Sequence, residues 1–111
     1  MASNTLSGDL ISERYGAALY DLASEKKCIE DILNDFKLMQ KALKESSELR
    51  QVIKSPLVNS DEKLNILLKL FSEANLHNLT TTFLKVLDNN KRLSNIASII
   101  LQFKKINSEK R

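Results

Sequence analysis

The segment Ile11–Ala23, read Ile-Ser-Glu-Arg-Tyr-Gly-Ala-Ala-Leu-Tyr-Asp-Leu-Ala, constrains this chain more than any other. At about 100° per residue, Ile11, Tyr15, Ala18, Leu19 and Leu22 share one helical face. Gly16, Tyr20 and Ala23 fall on the adjoining face, and Glu13, Arg14 and Asp21 take what remains. The apolar and small arc is roughly twice the ~100° that packing against a core on one side requires. Such a helix is either surrounded by its own domain or leaves a second face for a partner, and the pattern leaves both open. Gly16, Ala17, Ala18 and Ala23 permit close helix approach in either case.

A chain of 111 residues supports one domain with a modest core. Two glycines, one proline and no tryptophan, with 42% hydrophobic residues, leave little punctuation for β-structure and predict an all-α domain. The formal net charge is +3, with Lys and Arg interleaved among Asp and Glu. That pattern marks solvated helix faces and argues against a dedicated nucleic-acid groove. Cys28 is alone, which excludes an intramolecular disulfide and a cysteine metal site; it reads as a small buried hydrophobe. His77 is also alone and reads as a solvent-facing linker residue. No apolar run is long enough to span a membrane. The N-terminus has neither a signal-peptide core nor the acid-poor character of a transit peptide, and the expected setting is cytosolic and reducing.

Taken in order, residues 1–7 are polar and expected to fray, with Ser7 as N-cap and Asp9 in the first turn of helix 1, which runs to about Lys26. Helix 2 covers about Ile29–Glu45, with Ile29, Ile32, Leu33, Phe36, Leu38, Met39, Ala42 and Leu43 at helical spacing. Asp31 and Asp35 fall outside that stripe as a solvated acidic pair, a conceivable cation contact at most. Ser46-Ser47 breaks the chain, and a short helix 3 spans about Glu48–Lys54. Pro56 ends it, and Leu57 and Val58 are expected to tuck over an open end of the core. Asn59 with Glu62 forms a capping box for helix 4, which extends to about Ala74. Helix 5 runs from about Leu79 to Asn89, with Asn90 as a left-handed C-cap. Helix 6 begins near Leu93 and carries Ile96, Ile99, Ile100, Phe103 and Ile106. The tail after Asn107 reads as a linker or a continuing helix. The expected fold is a single six-helix bundle, with Phe36, Phe83, Leu87 and Phe103 in its core.

Helix 5 repeats the excess seen in helix 1. Leu79, Phe83, Leu84 and Leu87 form a core stripe, and Thr82, Val86 and Asn89 form a second, milder stripe beside it. Catalytic chemistry has nothing to rest on. There is no glycine-rich phosphate loop, no HExxH and no paired Cys/His spacing, and one histidine in the whole chain makes a Ser–His nucleophile a poor reading. No catalytic, cofactor or metal-ligating residue is predicted.

Three stretches nevertheless carry a resemblance. Arg14-Tyr-Gly-Ala-Ala-Leu-Tyr-Asp-Leu-Ala23 resembles the opening helix of the ATP synthase delta subunit family, which includes the mitochondrial oligomycin sensitivity-conferring protein. The family's usual form is R-Y-A-x-A-L-F-D-x-A; Gly16 and Tyr20 are mild departures. Ser55-Pro-Leu-Val58, with Lys63 on a helix ending Leu70-Phe71, is similar to its middle loop and fourth helix. Phe83-Leu84, Leu87, Asn90 and Arg92-Leu93 resemble its N-F-L-x-x-L-x-x-N-x-R-L signature, with Thr82 for the usual Asn. The motifs lie in the family's order and span residues 11–106.

The resemblance implies a six-helix N-terminal domain over residues 1–107, helices 1 and 2 packing with 5 and 6. Residues 108–111 would begin a linker to a C-terminal domain that engages the b-subunit stalk and has no counterpart here, so the chain is expected to be a fragment. It implies a non-catalytic peripheral-stalk (stator) subunit of a proton-translocating F-type ATP synthase, without cofactor. The setting would be peripheral, on the cytoplasmic face of a bacterial inner membrane, without membrane insertion or nucleic acid. In the family, helices 1 and 5 form the groove that takes an N-terminal helix of an alpha subunit. The residues expected to line it here are Tyr15, Ala18 and Leu22 with Thr82, Val86 and Asn89.

A second reading comes from another class. Helical RNA-binding transcription antitermination factors also open with an Arg-rich A-R-x-x-A-x-x-A-L-Y helix. Here Glu13 and Asp21 flank the motif and Arg14 is its one basic residue, which leaves little for the phosphate attraction that dominates such binding. A third reading, a generic helical dimerisation module, would fill the groove with a second copy.

Overall fold

Apolar stripes at helical spacing, separated by capping residues, resolve into six α-helices. The computed structural model describes residues 2–110, with side chains described from Leu10 onward. The helices are α1 (Ala2–Glu25), α2 (Ile29–Glu45), α3 (Ser47–Lys54), α4 (Ser60–Leu70), α5 (Asn78–Asn89) and α6 (Ile96–Lys110). Single 3-10 turns at Ser72–Ala74 and Leu93–Asn95 precede α5 and α6. The described residues contain no strand, and the all-α expectation holds.

Local chemistry shapes the helix ends and turns, with four departures from the sequence reading. The first is that α4 stops at Leu70, and Ser72–Ala74 forms a separate 3-10 turn instead of extending the helix to Ala74. Ser46 caps α3, its Oγ accepting from Leu49 N–H at 3.1 Å. The Glu62 carboxylate accepts from Asn59 N–H at 3.3 Å, the reach-back of the expected capping box. Ser7, however, lies inside α1, which starts at Ala2; nothing between Ala2 and Ser7 stops a helix, and one interior glycine, Gly8, costs only about 1 kcal/mol. Leu57 is 91% exposed and does not cover the core; the turn is closed by Leu57 N–H donating to Ser55 Oγ at 3.1 Å, which points that side chain outward. Asn90 is not left-handed (φ −93°); Lys91 is, at φ 58°. Lys91 N–H bonds Asp88 O at 3.0 Å and Arg92 N–H bonds Leu87 O at 2.7 Å, a Schellman ending that shifts the left-handed residue one position on.

The core lies where α1 and α2 meet α6 and α5. Helix α1 runs chiefly against α6, burying Ser12, Gly16, Leu19, Tyr20 and Ala23. A Cβ at Gly16 would stand 2.9 Å from Gln102 Cβ and 3.3 Å from Phe103 N, so glycine here sets how closely the two helices approach. Phe103 meets Phe36 edge-on (centroids 5.3 Å, 85°) and Tyr20 at 5.3 Å. Phe36, Phe83, Leu87 and Phe103 are all buried, as expected, and so is Cys28.

Helix α2 corrects the sequence reading at two positions. Leu38 is 45% exposed, whereas Asp35 is buried. Asp35 Oδ2 accepts from Thr80 Oγ1 at 2.6 Å and from His77 N–H at 2.8 Å, so this carboxylate ties α2 to the start of α5 and is not a solvated charge. His77 is not a free linker residue either: its Nδ1 accepts from Leu79 N–H at 3.0 Å and caps α5.

Candidate partner-binding site

The wide arc of α1 divides between two neighbours. The Gly16, Tyr20 and Ala23 face, with Leu19, is buried, Gly16 and Tyr20 against α6; Tyr15, Ala18 and Leu22 keep accessible surface. Tyr15 is half-buried, and Ala18 and Leu22 are exposed, Leu22 at 39%. On α5, Leu79, Phe83, Leu84 and Leu87 are buried while Thr82, Val86 and Asn89 stay exposed, Val86 at 42%. All six residues expected to line a groove therefore keep accessible surface in a folded domain.

Tyr15 is where the two helices meet. Its ring stands edge-on to Phe83 (centroids 6.3 Å, interplanar angle 66°). Its hydroxyl accepts from Asn90 Nδ2 at 2.9 Å. Phe83 and Asn90 lie about two helical turns apart, so one tyrosine spans the α5 edge from its core stripe to its C-terminus. Asn90 is the site residue that sequence reasoning misassigned, taking it for a backbone cap; a side-chain contact between residues 15 and 90 has no local signature. Ala18 and Leu22 continue the α1 edge beyond Tyr15, without a described hydrogen bond or ring contact to α5.

Among these six residues the Tyr15 phenol is the one titratable group. Two concavities lie elsewhere. One, of about 1160 Å³, runs between α2, α3 and α6 past Leu38 and Leu101 and is edged by Lys37, Lys41 and Lys44. Another, of about 710 Å³, lies between α2, α3 and α4 beside Leu49, Ile66 and Leu70. A helix docking across two exposed edges needs a long shallow surface more than a deep hole, so volume does not rank these surfaces for that role.

Among the described residues no helix is long and apolar enough to cross a membrane. A sequence model of the family described as ATP synthase delta (OSCP) subunit matches residues 11–111. Among similar proteins, ATP synthase subunit delta of Nitrobacter winogradskyi is 36% identical over 94 residues, 85% of this chain and 50% of that protein. ATP synthase subunit delta of Carboxydothermus hydrogenoformans is 34% identical over 93 residues (84% and 51%). That of Brucella anthropi is 31% identical over 109 residues (98% and 58%). The chain spans about half the length of the curated relatives it matches. With its three motifs carried on α1, on α4 and the turn before it, and from α5 into the following 3-10 turn, and with a family match over nearly its whole length, this chain belongs to the ATP synthase delta (OSCP) subunit family.

Proposed function

We propose that this chain is the head-contacting helical domain of a peripheral-stalk subunit of an F-type ATP synthase, a static connector without catalysis of its own. Residues 1–107 form the binding domain, and residues 108–111 lead toward a C-terminal region that engages the b-subunit stalk. The site of action is the cytoplasmic face of a bacterial inner membrane. An amphipathic helix at the N-terminus of an alpha subunit lies in the α1/α5 trough, its apolar side on Tyr15, Ala18, Leu22 and Val86, with Thr82 and Asn89 at the rim.

The observation that carries this reading is that both edges of the trough stay exposed beside a closed core. Burying such surface gains about 25 cal/mol per Å². Ala18 has the small side chain that lets a partner backbone approach. A connector also needs a surface that survives unoccupied, and the Tyr15 contacts to Phe83 and Asn90 hold the two edges together without a partner.

The test is a synthetic peptide covering the alpha-subunit N-terminal helix from the same source, titrated calorimetrically into this chain. Ala18→Glu should abolish binding by clash and desolvation, and Val86→Asp by desolvation, both with melting nearly unchanged. Normal binding by both variants would place the peptide elsewhere on the domain.

A further inference from the structure

The concavity between α2, α3 and α6 shares no residue with the α1/α5 trough. Its apolar lining includes Leu38, 45% exposed, and Leu101, 59% exposed. Ala97, one turn before Leu101 on α6, lines it too. An isolated exposed leucine needs no explanation, but two opening into one concavity make a patch. The charge around them is one-sided: Lys37, Lys41, Lys44 and Arg50 line the concavity against one carboxylate, Glu45. The three lysines recur at i, i+4 and i+7, so they stand along one side of α2 over about 10 Å. Arg50 is held in place, its Nη1 donating to Leu43 O at 2.6 Å and to Lys44 O at 2.8 Å. Lys104 Nζ donates to Gln40 Oε1 at 2.8 Å and joins the α6 wall to the α2 wall.

We propose that this groove docks a short amphipathic helix of a protein partner, apolar along one side and acidic along its flanks. Covering Leu101 and Leu38 supplies the attraction, and the lysine row with Arg50 selects Glu and Asp at the edges. A helix suits a furrow between two helices better than an extended strand does, because neither wall offers a sheet edge to pair with. A second copy of this chain is a poor occupant: in an isologous pair the face meets itself, and one lysine row would oppose the other. Nucleic acid fits poorly as well, since no aromatic side chain lines the groove for base stacking. The groove and the trough are independent, and either assignment can fail without the other.

The probe is a fluorescein-labelled, lactam-stapled helix about three turns long, with leucines along one side and glutamates on both flanks. Titrated into this chain, it should give a saturable anisotropy isotherm. Lys41→Glu should weaken binding by about tenfold, the scale of reversing one rim charge, and Leu101→Gln by at least as much. Lys26→Glu, the same charge change just after α1, should leave it unaltered. Lys41 and Leu101 are exposed, so melting should be kept; Leu38→Gln repeats the apolar test if Leu101→Gln melts early. Replacing the peptide's glutamates by lysines, or its leucines by serines, should remove binding. Amide shifts at Lys41, Lys44, Ala97 and Leu101 should locate the probe. Shifts centred on Ala18, Leu22 and Val86 would seat it in the trough and overturn this proposal alone. Equal binding of the serine peptide would make the surface a general polyanion site, and a Leu101-dependent dimer in sedimentation velocity would give the groove to a second copy. Either result, or no isotherm, overturns the proposal.

Discussion

The α1/α6 seam and the α1/α5 edge use the same helix in opposite ways. Along the seam, α1 gives up its accessible surface: Gly16 admits the α6 backbone, and Tyr20 and Phe103 pack at a tilt beside it. Along the edge, among the described residues, α1 makes a single ring contact and a single hydrogen bond, both through Tyr15, and Ala18 and Leu22 remain exposed. A small residue serves both places. Gly16 is small because a neighbour is already there, whereas Ala18 is small with nothing described against it. Close approach is thus completed inside the domain at one position and left available at the other.

Breaking the seam should have the largest effect. Phe103→Ala removes a ring shared by α1, α2 and α6 and should cost about 3–5 kcal/mol, read as a drop in thermal or urea midpoint. Phe83→Ala, under the edge, should cost about the same; an unaltered melt would mean that the two faces of α5 are reversed. The polar tie between α2 and α5 comes next. Asp35→Ala leaves the Thr80 hydroxyl and His77 N–H unpaired in the interior and should cost about 2–4 kcal/mol. Adding Thr80→Val should restore part of that loss, because it removes one stranded donor.

Gly16→Ala sharpens the comparison directly. A methyl group 2.9 Å from Gln102 Cβ forces the helices apart, an overpacking cost of about 1–3 kcal/mol. Better helix propensity returns about 1 kcal/mol, so a net loss of about 1 kcal/mol is expected in chemical denaturation. Ala18→Glu and Val86→Asp, on the edge, should each move stability by only about 0.5 kcal/mol, which separates the two sides of α1 by size of effect alone.

The smallest effect concerns Asp61. Its carboxyl titrates above the usual value of 3.8, first because it hydrogen-bonds Asp88 when protonated and then because the two charges repel, with Lys91 opposing the shift. A carboxyl raised in the folded state stabilises the fold at acid pH and loses that contribution as pH rises through its folded value. Asp61→Asn, which keeps a donor toward Asp88, should therefore melt slightly higher than the parent at neutral pH. The gap should close as pH falls through the carboxyl range; a gap that widens on acidification would reverse the assignment.

Much of this was legible in residue order. Six amphipathic stripes, Ser46 before α3, the Asn59/Glu62 pair and Pro56 act within a turn or two of themselves, so spacing reports them. The excess width of α1 and α5 was legible too, since a face angle is a property of one helix. What spacing misread were Ser7, Leu38, Asp35, His77, Leu57, Asn90 and the end of α4. Asp35 sits where a carboxylate reads as solvated, and only the arrival of Thr80 and the His77 backbone turns it into a buried acceptor.

The sequence by itself determined the number of helices, most of their ends and the fact that α1 and α5 carry more apolar surface than one contact uses. Only the tertiary structure decided which part of that surface closes on α6 and which is left open, and that Asn90 reaches Tyr15. Local order is set by interactions over a few residues, which a periodicity records. The meeting of residues 15 and 90 depends on how whole helices pack, and no short-range pattern carries that information.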